Sequence, residues 1–168
     1  MKRKNIGIIL ANLGTPDSPS TADVRRYLAE FLWDPRVIKL WRPLWWLVLN
    51  LIILNTRPKK SAEAYASIWT DQGSPLLVVS RQQADALQKE LTDLPLVLGM
   101  RYGNPSMESA MEKLRQQGVD HFVVLPLYPQ FSDTTITSVE DEVARVAKSM
   151  GTGVSYKMIN GYHNEPRY

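Results

Sequence analysis

The 168-residue sequence contains no cysteine. A disulfide framework, a cysteine nucleophile and any thiolate-held metal or cluster are therefore excluded within it, and a reducing compartment suits it. The sequence also lacks internal repeats and low-complexity tracts. It has neither a Gly-x-Gly-x-x-Gly motif nor a Walker loop, so a dinucleotide or a nucleoside triphosphate is not the expected ligand.

A strong net charge is also missing. The 20 Lys and Arg residues exceed the 17 Asp and Glu residues by only three, and the cations are scattered, so no nucleic-acid partner is expected. The basic start Met1–Asn5 is followed by a short strand-like run without a long apolar region or a cleavage site. We therefore expect no signal peptide and a cytoplasmic location.

The chain has no apolar run long enough to cross a membrane. The longest one, Leu44–Leu54, is eleven residues and includes Asn50, whereas a span needs about 20 apolar residues. It is compatible with a buried helix. It is also compatible with an apolar lip at a pocket mouth that touches a bilayer, since tryptophan suits membrane interfaces. Peripheral contact of Trp41–Leu54 with the inner face of the membrane is therefore one expectation.

Short apolar runs alternate with helical patterns along the chain. The predicted strands are Ile6–Asn12, Leu96–Met100, Phe122–Leu127 and Val154–Ile159. The predicted helices are a segment capped by Ser20 and ending near Leu32, the tryptophan-rich Leu44–Leu54, Ser61–Trp69, Val79–Leu91, Ser106–Gln117 and Ser138–Met150. This order predicts a Rossmann-like or flavodoxin-like three-layer α/β domain whose parallel four-stranded sheet has right-handed crossovers.

The first crossover is far longer than a βαβ unit needs, at about 80 residues. We interpret residues 33–75 as a lip inserted at the binding edge of the sheet. At the other end, Asn164 is a good helix N-cap, with Glu165 and Pro166 suited to a first turn. Because a helix is expected to begin where the sequence stops, we interpret the chain as a truncated polypeptide.

Unusual loops follow the first three predicted strands. They are Leu13–Asp17, Arg101–Pro105 and Tyr128–Thr135. Ligands of parallel sheets bind outside the carboxyl ends of the strands, so these loops are expected to meet in one crevice. The hydroxyl-rich third loop is typical of helix capping or of a flavodoxin-like phosphate site.

Two arginines are candidates for binding an anion. Arg101 follows a buried strand, and Arg57 lies in the long crossover. Each arginine is compatible with an ordinary surface charge or with a guanidinium that binds a carboxylate through two hydrogen bonds. The two histidines, His121 and His163, form no metal-ligand spacing and are interpreted as structural or surface residues.

Together these segments resemble the ferrochelatase family over the whole chain, most closely the N-terminal portion of the bacterial type. The matching pieces are Asn12–Pro16, Arg57–Tyr65 leading to Gly73–Pro75, Arg101–Pro105, and Tyr128–Ser132 with Thr134–Thr135. The resemblance implies two similar α/β domains with a porphyrin between them, of which this chain, residues 1–168, is the first. It also implies a lyase of heme biosynthesis that inserts ferrous iron into protoporphyrin IX to form protoheme.

The resemblance further implies that Arg57, Tyr65 and Ser74 contact the porphyrin or its propionates. The other residues it assigns to porphyrin binding are Leu13, Arg101, Tyr102, Tyr128, Ser132 and Thr134. Some relatives carry tyrosine or methionine where this chain has Leu13, which can pack against the ring but cannot ligate a metal.

The family's catalytic histidine and glutamate lie further along, in the second domain, and no counterpart falls within this sequence. The chain is therefore expected to hold no catalytic or metal-binding residue, to carry no permanent cofactor and to be inactive alone. Ferrous iron and protoporphyrin IX would be substrates of the complete protein. The alternative is a free-standing, non-catalytic module that binds a tetrapyrrole or a flavin.

Overall fold

The computed structural model describes residues 5–166, and they form two compact units. The first unit contains residues 5–13, 80–101 and 105–166, and the second contains residues 14–79 and 102–104.

A four-stranded parallel sheet organises the fold, as predicted. Its strands are β1 (Ile6–Thr15), β2 (Leu96–Gly103), β3 (His121–Pro126) and β4 (Ser155–Met158), in the spatial order β2-β1-β3-β4. The register pairs Ile6 with His121 and runs in step to Ala11 opposite Pro126. This is the order of the first four strands of a flavodoxin-like sheet, in which the order reverses between β1 and β3. The predicted α/β class and all four strands are confirmed.

The core of the first unit lies under two helices, α5 (Met107–Gln116) and α6 (Ser138–Met150). Both show the spacing of an amphipathic helix, and their apolar faces are buried with Ile9, Phe122 and Val124 of the sheet. The buried helical residues are Met107, Ala110, Met111, Leu114, Val139, Val143 and Val146. A π-helical turn, Asp133–Thr137, leads into α6.

The second unit is mostly helical. It contains α1 (Thr21–Trp33), α2 (Arg42–Leu47), a π-helical segment (Val48–Ile53) and α3 (Leu54–Ile68), and α4 (Pro75–Glu90) begins in it. The predicted cap of α1 is confirmed, because Ser20 Oγ accepts the Asp23 N–H at 3.2 Å.

The prediction for α3 was wrong by seven residues at its start. A helix from Ser61 to Trp69 was expected, but α3 runs from Leu54 to Ile68 with Pro58 inside. Proline removes a helical hydrogen bond and clashes with the preceding turn. In the turns before Pro58, side chains bond to main-chain carbonyls: Asn55 Nδ2 donates to those of Asn50 and Leu51, and Thr56 Oγ1 donates to that of Ile52.

The start of α4 also differs from the prediction of Val79. Gly73–Pro75 was interpreted as a break, whereas Pro75 is the first residue of the helix, a position where its fixed φ and missing N–H cost little. At the predicted helix start near Asn164, the structure shows a turn at His163–Asn164. Arg167 and Tyr168, onto which that helix would continue, lie outside the described residues.

Within residues 5–166, no helix has both the length and the apolar character that crossing a bilayer requires.

The end of β1 makes an unusually close backbone approach. Gly14 has φ +105°, and a Cβ added to it would lie 1.7 Å from the carbonyl oxygen of Tyr102. One residue on, a Cβ at Gly103 would lie 2.6 Å from the carbonyl oxygen of Thr15. Only glycine fits both the conformation and the space at Gly14.

We expect Gly14→Ala to destabilise the chain far more than Gly73→Ala. Gly73 has nearly the same φ, +111°, but has no atom within 4 Å of the added Cβ. Gly73→Ala therefore isolates the cost of backbone strain, about 1–3 kcal/mol. Gly14→Ala adds the overlap with a backbone atom, for a further loss of about 3 kcal/mol or failure to fold. Urea unfolding monitored by circular dichroism measures both, and equal losses would contradict the close approach.

Candidate functional site

Five aromatic rings form a connected cluster in the second unit. Each ring contacts the next with a centroid separation of 5.2 to 6.3 Å, mostly edge to face. In order of contact the rings are Trp69, Tyr65, Tyr27, Phe31 and Tyr102. Such pairs add to the stabilisation that burial alone gives, so the cluster is a rigid platform that joins α1 and α3.

The inner end of this cluster is Tyr102, which is fully buried. Its hydroxyl donates to Asp34 Oδ2 at 2.7 Å, and Asp34 Oδ1 accepts the backbone N–H of Arg36 at 2.6 Å. Asp34 is itself buried, and a buried carboxylate is stable only when its oxygens are satisfied in this way. Tyr102 therefore holds the end of α1 in place.

The two residues after Tyr102 also bond to acids. The Gly103 N–H donates to Glu30 Oε2 at 3.0 Å, and Asn104 Nδ2 donates to Asp17 Oδ1 at 2.8 Å. Within the predicted ligand loop Arg101–Pro105, residues 102–104 thus form hydrogen bonds inside the second unit. The contact of Tyr102 with a porphyrin stays a prediction.

The outer end of the cluster carries Tyr65, which is half-buried. Burial raises the pKa of the Tyr65 phenol above its ordinary value, and a hydrogen bond with Tyr27 acts in the opposite direction. The phenol therefore stays neutral at physiological pH. It can pack against a ring or take part in hydrogen bonds, but it cannot serve as an anionic base.

Arg57 is exposed and precedes Tyr65 by eight residues on α3. Eight residues of helix span about 12 Å, and the residues at i, i+4 and i+8 lie on the same side. The helix therefore presents an exposed cation and a half-buried ring on one side, at a spacing that suits a large flat anion.

Ser74 is placed differently from Arg57 and Tyr65. Its side chain is buried, and its hydroxyl accepts a hydrogen bond from Thr15 Oγ1 at 2.9 Å. The expected contact between Ser74 and a porphyrin stays a prediction, and the hydroxyl pair explains how the loop before α4 is held in this unit.

In the first unit, Arg101 is half-buried and bonds to the start of α6. Its Nε donates to the Ser138 carbonyl at 2.9 Å and lies 2.7 Å from Ser138 Oγ. A guanidinium held in this way fixes the first turn of the helix, which is a structural role that the sequence did not indicate.

Leu13 and Tyr128 lie at the ends of the neighbouring strands β1 and β3. The Leu127 N–H donates to the Ala11 carbonyl at 2.8 Å, which carries the pairing one residue past β3. Tyr128 follows Leu127 directly, Leu13 lies two residues after Ala11, and both are half-buried. They therefore flank the switch point of the sheet, where parallel α/β sheets bind their ligands.

The hydroxyl-rich loop is folded onto itself. The Ser132 carbonyl accepts the N–H groups of Thr135, Ile136 and Thr137 at 3.2, 2.9 and 3.4 Å, and Ser132 Oγ lies 3.0 Å from Thr134 Oγ1. A phosphate site needs backbone N–H groups that point outward. The structure therefore favours helix initiation over the flavodoxin-like phosphate alternative.

The described residues 5–166 include no group of three or more His, Cys, Asp or Glu side chains arranged to hold a metal ion. His121 Nδ1 lies 2.8 Å from Ser155 Oγ, and His163 Nδ1 lies 3.2 Å from the Pro129 carbonyl. Both histidines thus have local partners.

The nine predicted ligand residues fall into two sets. Those of the second unit are Arg57, Tyr65, Ser74 and Tyr102, and those of the first are Leu13, Arg101, Tyr128, Ser132 and Thr134. Sequence reasoning missed Tyr27 and Asp34. The pairing of Asp34 with Tyr102 spans 68 residues, so no local pattern indicates it. The only signal for Tyr27 was its position on the apolar face of α1.

We expect Tyr102→Phe to lower the free energy of unfolding by about 1–3 kcal/mol, because it removes a donor from a buried carboxylate. Tyr65→Phe is the matched control on the same cluster and should cost less than about 1 kcal/mol, since its hydroxyl is not fully buried. Urea midpoints measure both. A smaller loss for Tyr102→Phe than for Tyr65→Phe would contradict the role of the Asp34 bond.

Comparison with known proteins places the whole described chain in one family. A family model described as Ferrochelatase matches residues 5–168. The chain is 53% identical to "Ferrochelatase" of Escherichia coli O139:H28, with 100% of this chain and 52% of the relative covered. It is 50% identical to "Ferrochelatase" of Actinobacillus pleuropneumoniae serotype 3, covering 100% of this chain and 54% of the relative.

A third relative, "Ferrochelatase" of Marinobacter nauticus, is 45% identical over 97% of this chain and 45% of its own length. The chain thus spans about half the length of the curated relatives it matches. With the match running from Asn5 onward through both units, the chain belongs to the ferrochelatase family.

Proposed function

We propose that this chain supplies the porphyrin-binding half of a cytoplasmic ferrochelatase of heme biosynthesis. The complete enzyme would insert ferrous iron into protoporphyrin IX as a lyase, with both molecules as substrates and no permanent cofactor. The match to the family model over residues 5–168 is the observation that carries this proposal.

The second unit offers groups that suit a porphyrin. Protoporphyrin IX is a flat apolar disc with two carboxylates, so its site needs an apolar face and a few anion-binding groups. Tyr65 provides a half-buried aromatic ring backed by the rigid cluster, and Arg57 provides a cation on the same side of α3. We assign the ring face to Tyr65 and a propionate to Arg57.

The first unit contains the switch point of the sheet, between β1 and β3, where a ligand is expected to bind. Leu13 and Tyr128 are half-buried there, one with an aliphatic and one with an aromatic side chain. Leucine packs against an apolar surface and cannot ligate iron. We therefore assign Leu13 to packing on the porphyrin ring, and Arg101 to support of α6 rather than to a propionate.

Insertion of the metal needs more than these residues. Two pyrrole protons must leave the porphyrin as iron enters, which requires a base and groups that deliver the ion. The described residues contain no metal-ligating group of three, and both histidines have structural partners. We propose that the base and the iron-delivering groups belong to the second domain.

The purified 168-residue chain is expected to show no insertion of ferrous iron into protoporphyrin IX. The measurement is loss of porphyrin fluorescence under anaerobic conditions, with a full-length relative as the positive control. Turnover by the chain that exceeds the protein-free rate would refute the division of labour between the two halves.

Arg57→Ala is expected to weaken protoporphyrin IX binding to the chain about tenfold, because it removes a charge-assisted hydrogen bond. Titration followed by Soret absorbance measures this. Lys59→Ala is the matched control, since Lys59 is an exposed cation on roughly the opposite side of α3, and it should change the affinity less than twofold.

The dimethyl ester of protoporphyrin IX sharpens this test, because its propionates carry no charge. Arg57→Ala should leave binding of the ester unchanged. An equal effect on acid and ester would show that Arg57 acts through packing. No binding of either compound by the unsubstituted chain would remove the porphyrin-binding role from this half.

The alternative, a flavin-binding module, is favoured only by the strand order β2-β1-β3-β4. Its phosphate loop would be Ser132–Thr135. The Ser132 carbonyl there already accepts hydrogen bonds from the N–H groups of Thr135, Ile136 and Thr137. Quenching of flavin mononucleotide fluorescence at stoichiometric concentrations would support the module and contradict the porphyrin assignment.

A further inference from the structure

Trp69 is the outermost ring of the aromatic cluster and was not among the nine predicted ligand residues. It is half-buried, so part of it stays accessible to a ligand. Its ring contacts that of Tyr65 at a centroid separation of 6.3 Å. Tryptophan and tyrosine combine a large apolar surface with few rotatable bonds, so they contact a ligand at a low cost in conformational entropy. Trp69 is therefore a candidate ligand contact beside Tyr65.

The backbone holds Trp69 on both sides. Before it, α3 ends at Ile68, and the Trp69 N–H donates to the Ala66 carbonyl at 3.4 Å. After it, Thr70 and Gly73 close a tight turn, in which each N–H donates to the carbonyl of the other residue at 3.0 and 2.9 Å. Thr70 Oγ1 also donates to the Gly73 carbonyl at 2.8 Å. Trp69 is therefore fixed at the corner between a helix and a closed turn.

The planes of the Trp69 and Tyr65 rings are inclined to each other by 78°. Two rings that are nearly perpendicular cannot both lie flat against the same planar molecule. With Tyr65 on the face of the porphyrin, Trp69 would contact its rim. The face of the macrocycle is common to all porphyrins, whereas the rim carries the substituents in which they differ. A contact at the rim can therefore select among porphyrins.

The charge along α3 changes sign between Arg57 and Trp69. Residues 54–60 carry three cations and no acid, whereas residues 61–74 carry two acids and no cation. The twelve residues from Arg57 to Trp69 span about 18 Å along the helix axis. A ligand carboxylate is thus favoured at the Arg57 end. Near Trp69 it is disfavoured, because it would meet an apolar ring and acids of like charge.

We propose that Trp69 determines specificity for the substituents of the porphyrin rim, accepting small apolar groups and rejecting carboxylates. In protoporphyrin IX the two propionates lie on one side of the disc, and methyl and vinyl groups occupy the other. With a propionate at Arg57, the methyl and vinyl side reaches Trp69. A carboxylate at that position would lose its hydration without gaining a cation, which is costly. This role rests on the proposed binding of a porphyrin by the chain.

The test compares two porphyrins that differ only at two rim positions. Coproporphyrin III carries propionates where protoporphyrin IX carries vinyl groups. Each compound is titrated into the 168-residue chain at physiological salt, and binding is followed by Soret absorbance. We expect protoporphyrin IX to bind more tightly by about tenfold or more, a ratio typical of a site that excludes a small group.

Two substitutions of Trp69 locate the selection. Trp69→Ala should reduce the preference for protoporphyrin IX to less than about threefold, because it removes the apolar contact at the rim. Trp69→Arg should reverse the preference, since a guanidinium at that position would bind an added propionate. The ratio of the two affinities is the quantity compared, because a loss of folded protein lowers both affinities equally.

Ser67→Arg is the matched control. Ser67 is exposed and precedes Trp69 by two residues, which places it on roughly the opposite side of α3. The same cation placed there should leave the affinity ratio within about twofold of its original value, because salt screens a charge on the far side of the helix. Circular dichroism verifies the fold of all three variants.

Two results would overturn the role of Trp69 and leave the proposed function standing. One is binding of protoporphyrin IX by the unsubstituted chain with no preference over coproporphyrin III. The other is a preference that Trp69→Ala and Trp69→Arg both leave unchanged. Absence of binding of either porphyrin to the unsubstituted chain would overturn the proposed function together with this role.

Discussion

The bond between the Tyr102 hydroxyl and the buried carboxylate of Asp34 is the interaction on which the second unit depends. It can form only because Gly14 leaves room for the backbone at Tyr102. Once Tyr102 is fixed, Phe31, Tyr27, Tyr65 and Trp69 pack outward from it in turn. A single buried polar pair thus sets the position of a row of rings, because a buried carboxylate is costly in any arrangement that leaves it unpaired.

The first unit is organised by apolar packing instead. Two amphipathic helices bury evenly spaced methionine, leucine and valine side chains against one face of the sheet. Such packing joins residues from Ile9 to Val146 and tolerates exchange between apolar residues of similar size. The residues proposed to meet the porphyrin are divided between the two units: Tyr65 and Arg57 lie in the unit with polar and aromatic ties, and Leu13 lies in the unit with apolar packing. Specific positions are better fixed by directional bonds than by contact area alone.

The sequence was a good guide where the determinants are local. Apolar runs predicted all four strands, and Ser20 acts as the N-cap of α1 through its side chain, as predicted. It was a poor guide where a helix runs through an unfavourable residue. The start of α3 was predicted at Ser61, whereas the helix begins at Leu54 and continues through Pro58, although the missing N–H of proline disfavours a helix interior.

The candidate site shows a second limit. The sequence singled out the loops Leu13–Asp17, Arg101–Pro105 and Tyr128–Thr135 at the strand ends, and the ligand roles of their residues stay predictions. The sequence could not tell which of them bond internally, because the partners of Tyr102 and Arg101 lie 68 and 37 residues away. The π-helical segment has a further consequence of this kind. A π turn holds more residues than an α turn, so it fixes the rotation of all that follows. Returning this segment to α geometry at the same length would therefore change the direction in which Arg57 and Tyr65 face, whereas removing one residue at the same time would offset that change. The number of residues before Leu54, as much as their identity, thus decides which side of α3 these two present.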